Sequence, residues 1–188
     1  MKKLSLILNN FVIILFFIST SNSYCFEITT VSFGKGLDKV IDGDTIQIGK
    51  KKIRFSGIDA PESFYKGKQQ ICYDGENKIY CGKISKEILT KIIKNRRVMC
   101  RGKELDRYGR YLAECFLLGY EETSVSSAMV RRGYAFDYPK YSKKKYFKDQ
   151  EYAKSNKLGI WNYEFKYPWE WRKKYKKYKK FTVGYNKK

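Results

Sequence analysis

Four acidic side chains and one arginine bracket a short, strongly patterned stretch of this chain. It begins Asp42-Gly43-Asp44-Thr45-Ile46-Gln47-Ile48, breaks at Gly49-Lys50, and continues through Ile53-Arg54-Phe55 to Ile58-Asp59-Ala60-Pro61-Glu62. Thr45, Ile46 and Ile48 predict one strand and Ile53, Phe55 and Ile58 a second, joined by a tight turn. The carboxylates lie only at the two ends of this hairpin. In an antiparallel pair the start of one strand lies beside the finish of the next. Three or four carboxylates therefore converge at one edge, with Arg54 on the strand between them. Like charges so close repel unless a cation holds them, and the pattern points to a metal site. Each piece alone has an ordinary reading: Asp42-Gly43-Asp44 as a turn, Asp59-Ala60-Pro61-Glu62 as a loop cap, and Asp106 to Arg110 as a polar hairpin tip.

The elements that must position these residues follow in order. Residues 63–80 are polar, Lys-rich and loop-like. Ile84, Ile88, Leu89 and Ile92 recur at helical spacing, with Lys and Glu between them, and Asn95-Arg96-Arg97 ends that helix. Residues 98–101 and 110–118 read as strands. Val125, Ala128 and Met129 mark a second helix, with Ser124 as N-cap and Gly133 as the residue past its end. A third helix covers about residues 144–157 and stops at Gly159. Three strands, a helix, two strands and two helices suit a small five-stranded barrel with flanking helices, an α+β arrangement.

Composition narrows the partners. The 188 residues, 43% of them apolar, form one domain with a core of its own. Forty Lys and Arg against 19 Asp and Glu give a formal charge of +21, which calls for an anionic partner. Nucleic acid comes first and an anionic membrane surface second, against the plainer reading of a Lys- and Tyr-rich compositional bias. The chain has no histidine. That excludes nucleases with histidine-held metals, ribonucleases with paired histidines, and Ser-His-Asp hydrolases. Proton transfer falls to carboxylates, Lys, Tyr or water.

The two ends of the chain carry their own signals. Residues 1–23 read as a secretory signal peptide, with Lys2 and Lys3, an apolar run from Phe11 to Ile18, and Ser21-Asn22-Ser23 before cleavage. The run falls short of the ~20 apolar residues of a membrane span. Export, to a periplasm or the medium, makes the cysteines readable as disulfides: Cys72 with Cys81 around an Asp-Gly turn, and Cys100 with Cys115 across a hairpin. Cys25 is the odd one out; as a lipidated cysteine it fits its Asn22-Ser23-Tyr24 context poorly. Residues 167–188 alternate aromatics with lysine runs. They serve either as a nucleic-acid adhesive or as a solvated tail behind a docked Trp pair. The expected division is leader 1–23, domain 24–166 and basic aromatic tail 167–188.

The Asp-Gly-Asp-Thr hairpin start, the Arg54-x(4)-Asp59-x-Pro61-Glu62 finish and the block Asp106-Arg107-Tyr108-Gly109-Arg110 together resemble the staphylococcal nuclease (thermonuclease) family, from about Lys39 to Trp161. The resemblance implies an OB-fold and a Ca²⁺-dependent nuclease acting on DNA and RNA, single-stranded or breathing, that leaves 3′-phosphate ends. It implies that Asp44 and Asp59 hold Ca²⁺ through their side chains and Ala60 through its carbonyl. Arg54 and Arg110 would fork onto phosphate oxygens, and Glu62 would act as general base or orient the attacking water. Asp42 would support the turn and Asp106 its neighbours. Arg107 and Tyr108 would lie near a substrate phosphate, with Tyr138 and Tyr141 near the family's site tyrosines. Two departures stand out: Ala60 replaces the threonine of the best-known member, and the segment after Glu62 is longer by about seven residues, an insertion of the kind surface loops tolerate. A monomer is expected. The competing readings are a non-catalytic nucleic-acid-binding module on the same barrel and a basic protein that binds polyanions or membrane surfaces.

Overall fold

The computed structural model describes residues 26–30, 38–118 and 124–182, with side chains described for 38–102, 104–118 and 124–175. The expected leader and Cys25 lie outside the described residues. In chain order the elements are β1 (Phe26–Thr30), β2 (Lys39–Asp42), β3 (Thr45–Ile48), β4 (Lys51–Phe55), β5 (Ile58–Asp59), β6 (Cys72–Asp74), β7 (Asn77–Ile79) and α1 (Cys81–Ile93). There follow β8 (Val98–Leu105), β9 (Tyr111–Leu117), α2 (Val125–Arg131), β10 (Phe136–Asp137), α3 (Pro139–Ser142), α4 (Phe147–Ser155), a 3₁₀ turn (Gly159–Asn162) and α5 (Pro168–Thr182).

The main sheet is ordered β1-β8-β9-β4-β3-β2, antiparallel except for the parallel β4–β9 pair. This is the coiled sheet of an OB-fold; among the described residues its edge strands β1 and β2 are not paired with each other, so the barrel is not closed. The β3–β4 hairpin forms as its pattern predicts. Ile46 faces Ile53, both fully buried, and Gly49 takes the left-handed turn position at φ 55°. Leu89 and Ile93 of α1 and Val125, Met129 and Val130 of α2 fill the core beside Phe55, Val98 and Leu117. Side chains of this size stabilise by ~1.5–3 kcal/mol each when removed from water.

Several elements differ from the sequence reading, among them the helix α5 in the expected tail. Ile58 does not continue the strand of Phe55: the chain turns at Gly57, φ 77°, and β5 pairs with β10, setting Asp59 opposite Phe136. A left-handed glycine ends one ladder and lets the next two residues join another. Residues 63–80 contain the β6–β7 hairpin as well as loop. The third helix begins at Phe147 rather than near 144, because Lys143 and Lys144 both adopt positive φ and break the helical path.

The disulfides join Cys72 to Cys81 and Cys100 to Cys115, the latter directly opposite one another on β8 and β9 with Cα atoms 4.0 Å apart. Cys72 and Cys81 also belong to a second core centred on Phe136. The Phe136 ring packs on Trp161 at 5.4 Å, Phe165 at 4.9 Å, Tyr167 at 5.1 Å and Trp169 at 6.5 Å. Offset and edge-on aromatic pairs of this kind add ~0.5–1.5 kcal/mol each beyond their area.

Candidate active site

The β3–β4 register sets Thr45 opposite Arg54, so Asp44 arrives at the end of the hairpin beside the Arg54 side chain. The guanidinium of Arg54 ion-pairs with Oδ1 of Asp44 and, at 2.6 Å, with Oδ1 of Asp59, and also donates to the Ile58 carbonyl at 3.3 Å. The other Asp44 oxygen accepts the Ala60 N–H at 2.9 Å, and the Thr45 hydroxyl donates to Oδ1 at 2.8 Å. One arginine thus locks together the two ends of the hairpin that carry acids. Asp42 lies one turn back. Its Oδ1 accepts N–H groups from Gly43 at 2.8 Å and Ser63 at 3.1 Å, tying the hairpin start to the chain just past Glu62.

Two residues that carried no signal on their own hold Glu62. The buried Gln70 side chain accepts the Glu62 N–H at 3.2 Å, while the Gln70 N–H donates to the Glu62 carbonyl at 2.9 Å. The Gln70 amide then donates to the Lys166 carbonyl at 2.7 Å. Gly82, in the first turn of α1, presses against the same backbone: a β-carbon there would lie 2.0 Å from the Glu62 carbonyl oxygen.

A third guanidinium enters from the far end of the chain. Arg172 on α5 donates to both oxygens of Asp59, at 3.0 Å and 2.6 Å, and ion-pairs with Oε1 of Glu62. Sequence reasoning missed it inside a lysine-rich run. A signal existed, since Arg172 is the one arginine after Arg132, and a planar fork suits paired carboxylates better than an ammonium does.

The electrostatics separate the acids. Burial pushes the Asp42 carboxyl up to about 7, aided by the negative charges of Asp44 and Glu62. Burial also works against ionised Asp44, but Arg54, the Ala60 N–H and the Thr45 hydroxyl outweigh it and hold Asp44 below the usual carboxylate range. Glu62 is raised by burial and then by Asp44, with Arg172 pulling the other way. Burial raises Asp59 against the pull of Arg54 and Arg172. Carboxylates pushed apart in this way are the raw material of acid–base chemistry.

The remaining predicted residues form two neighbouring groups. Asp106 accepts Arg110 Nε at 2.8 Å and the N–H groups of Tyr108 and Arg110, which closes the β8–β9 loop. The guanidinium carbons of Arg107 and Arg110 lie 4.8 Å and 5.5 Å from the centre of the exposed Tyr108 ring. Arg110 pairs with Asp106 rather than with the hairpin acids. The parallel β4–β9 register sets Leu112 beside Arg54, and Arg110 stands immediately before β9. Tyr138 meets Tyr141 edge-on at 4.9 Å and lies close enough to Asp59 that, after burial, this charge raises its hydroxyl.

Among the described residues no three acids are preassembled into a metal cage. The donor chemistry still fits a hard divalent cation: the set is all oxygen, and Asp59 and Glu62 already share one cationic group, the Arg172 guanidinium. Asp44, Asp59 and the Ala60 carbonyl are the candidates to hold it.

Comparison with known proteins identifies the family. Residues 52–163 match the family model described as staphylococcal nuclease homologue. A succinoglycan biosynthesis protein, ExoI, of Rhizobium meliloti is 35% identical over 128 residues, 67% of this chain and 63% of its own length. Endonuclease YhcR of Bacillus subtilis is 31% identical over 140 residues, 67% of this chain and 11% of its own length. Micrococcal nuclease of Shigella flexneri is 30% identical over 149 residues, 72% of this chain and 78% of its own length. The chain therefore spans less than two thirds of the first two relatives. Because the matched segment takes in Arg54, Asp59, Glu62 and Arg110 and covers more than half of the chain, the protein belongs to the staphylococcal nuclease homologue family.

Proposed function

We propose that the chain is an exported nuclease that uses Ca²⁺ to hydrolyse phosphodiester bonds of DNA and RNA with little base selectivity, leaving 3′-phosphate ends. The observation that carries the reading is the simultaneous grip of Arg54 on Asp44 and Asp59, with Glu62 held three residues further on by Gln70. When bound, the cation supplies Lewis-acid stabilisation of the negative charge that grows on phosphate oxygens. Arg54 and Arg110 present planar N–H forks to those oxygens. Glu62, raised in a buried setting, takes a proton from the attacking water or aims it. Arg107, Tyr108, Tyr138 and Tyr141 supply charge and ring faces to the strand, which favours affinity without base reading.

The relatives named endonuclease and micrococcal nuclease support the activity. Two disulfides support an oxidising compartment, as does the leader-like segment 1–23. Among the described residues no helix is long and apolar enough to cross a membrane. We read the protein as a monomer. The test is incubation of the purified protein with single-stranded DNA and with RNA, in Ca²⁺ or in chelator, alongside Glu62→Gln and Arg110→Ala. Cleavage only with Ca²⁺, with both variants at least ~100-fold slower, is expected. Cleavage that ignores chelation removes the cation from the proposal, and tight binding without cleavage replaces the enzyme by a nucleic-acid-binding module.

A further inference from the structure

The family match ends at residue 163, and Arg172 lies beyond it. Its guanidinium nonetheless takes both oxygens of Asp59 and one of Glu62. With Arg54 also on Asp59 Oδ1 at 2.6 Å, each Asp59 oxygen already has a cationic partner. A divalent cation seated on Asp59 and the Arg172 fork claim the same oxygens, and two positive groups at that separation repel strongly in a partly buried site. The two are therefore alternatives.

The helix allows the exchange without unfolding. Trp169 stacks on Tyr138 with ring centroids 4.8 Å apart and planes 3° from parallel, and Trp171 is 7% exposed and packs on Tyr65. The start of α5 is thus anchored by two tryptophans just ahead of the arginine. The Arg172 side chain itself is 20% exposed, so rotation about its own torsions carries it toward solvent while the helix stays docked. A lysine at this place would grip one carboxylate at a time; only the planar fork spans both.

We propose that Arg172 is an internal counter-ion that, braced on Glu62, competes with the divalent cation for Asp59, so that α5 sets the cation concentration at which the site becomes competent. This rests on the reading of Asp44 and Asp59 as a cation site. The apparent affinity of a site falls by the fraction of time it is competent, so an Arg172 docked for about nine-tenths of the time weakens binding ~tenfold.

The test is calorimetric titration of the full chain with Ca²⁺, comparing wild type, Arg172→Ala, Arg172→Lys and Lys173→Ala, with circular dichroism to verify folding. Arg172→Ala should bind Ca²⁺ ~tenfold tighter, Arg172→Lys should recover part of that gain, and Lys173→Ala should match wild type. Unchanged or weaker binding by Arg172→Ala overturns the proposal, as does an equal gain in Lys173→Ala, which would mean a diffuse charge effect. If Arg172→Ala fails to fold, the lysine variant decides, and wild-type affinity there overturns it. Absence of Ca²⁺ binding in every variant, with cleavage proceeding in chelator, defeats the underlying cation reading as well.

Discussion

Gly82→Ala sets two magnitudes against each other. Inside a helix, alanine is favoured over glycine by ~1 kcal/mol, so propensity alone predicts a more stable protein. The surroundings of Gly82 predict the reverse. An added β-carbon would lie 2.0 Å from the Glu62 carbonyl oxygen, 2.3 Å from its carbonyl carbon and 2.6 Å from the Ser63 nitrogen. All three are backbone atoms, so no side chain can swing aside. Ordinary carbon contacts need ~3.5 Å, and either α1 or the Glu62 backbone must therefore move by more than ~1 Å. The start of α1 is held by the Cys72–Cys81 disulfide, so the displacement falls on Glu62. Overpacking costs ~1–3 kcal/mol, and a 1 Å misplacement of a catalytic group costs ~100-fold in rate. We expect kcat/KM on a single-stranded oligonucleotide to drop ~100-fold, with a lower urea midpoint. Gly49→Ala is the control. It strains a left-handed turn but meets nothing within 4 Å, so it should lose stability and keep activity. Full activity in Gly82→Ala, or a loss no larger than in Gly49→Ala, refutes the argument that this contact fixes Glu62.

Arg54→Ala leaves Asp44 buried without its ionic partner and should lower unfolding free energy by ~3 kcal/mol; urea titration checks it, and adding Asp44→Asn should restore part of the loss. Replacing Cys100 and Cys115 by alanine opens a loop of sequence separation 15 and should cost ~3 kcal/mol, or ~6–12 °C in Tm, by scanning calorimetry. The Asp106 carboxyl has its pKa lowered: burial opposes ionisation, but hydrogen bonds from Arg110 and Tyr108 win. A lowered folded-state pKa gives stability that is present above the ordinary value near 3.8 and is lost as pH falls through the folded value. Asp106→Asn should therefore unfold at lower urea than wild type at pH 7, with the gap closing below about pH 3.8; equal gaps at both pH values would assign its role to shape alone.

The approach of Asp44 to Arg54 was legible because it depends on local rules: alternating Ile and Phe residues, one tight turn, and antiparallel strands whose ends must coincide. The core faces of α1 and α2 were legible for the same reason, as Leu89 and Met129 recur at helical spacing. The β5–β10 pairing was not. It depends on Gly57 switching Asp59 to a partner far along the chain, and a two-residue ladder leaves no periodicity to detect. Gln70 was equally silent, being one amide in a polar loop until tertiary contacts bury it. Arg172 lies 113 residues from Asp59 and among lysines, where charge counting sees a diffuse cation and not a fork. Helical pattern at residues 168–182 was likewise hidden, since the run is rich in lysine and tyrosine and lacks a clear apolar stripe.

The aromatic knot around Phe136 changes where this protein can be cut. Phe165, Tyr167 and Trp169 lie beyond the matched family segment, yet they cover a ring that is fully buried. A version trimmed at residue 163 to the shared outline would leave Phe136 facing water at the wall of β10, against which Asp59 is paired. What looks like an appendage is thus part of the domain's minimal unit, and its loss would reach the acids through their own scaffold.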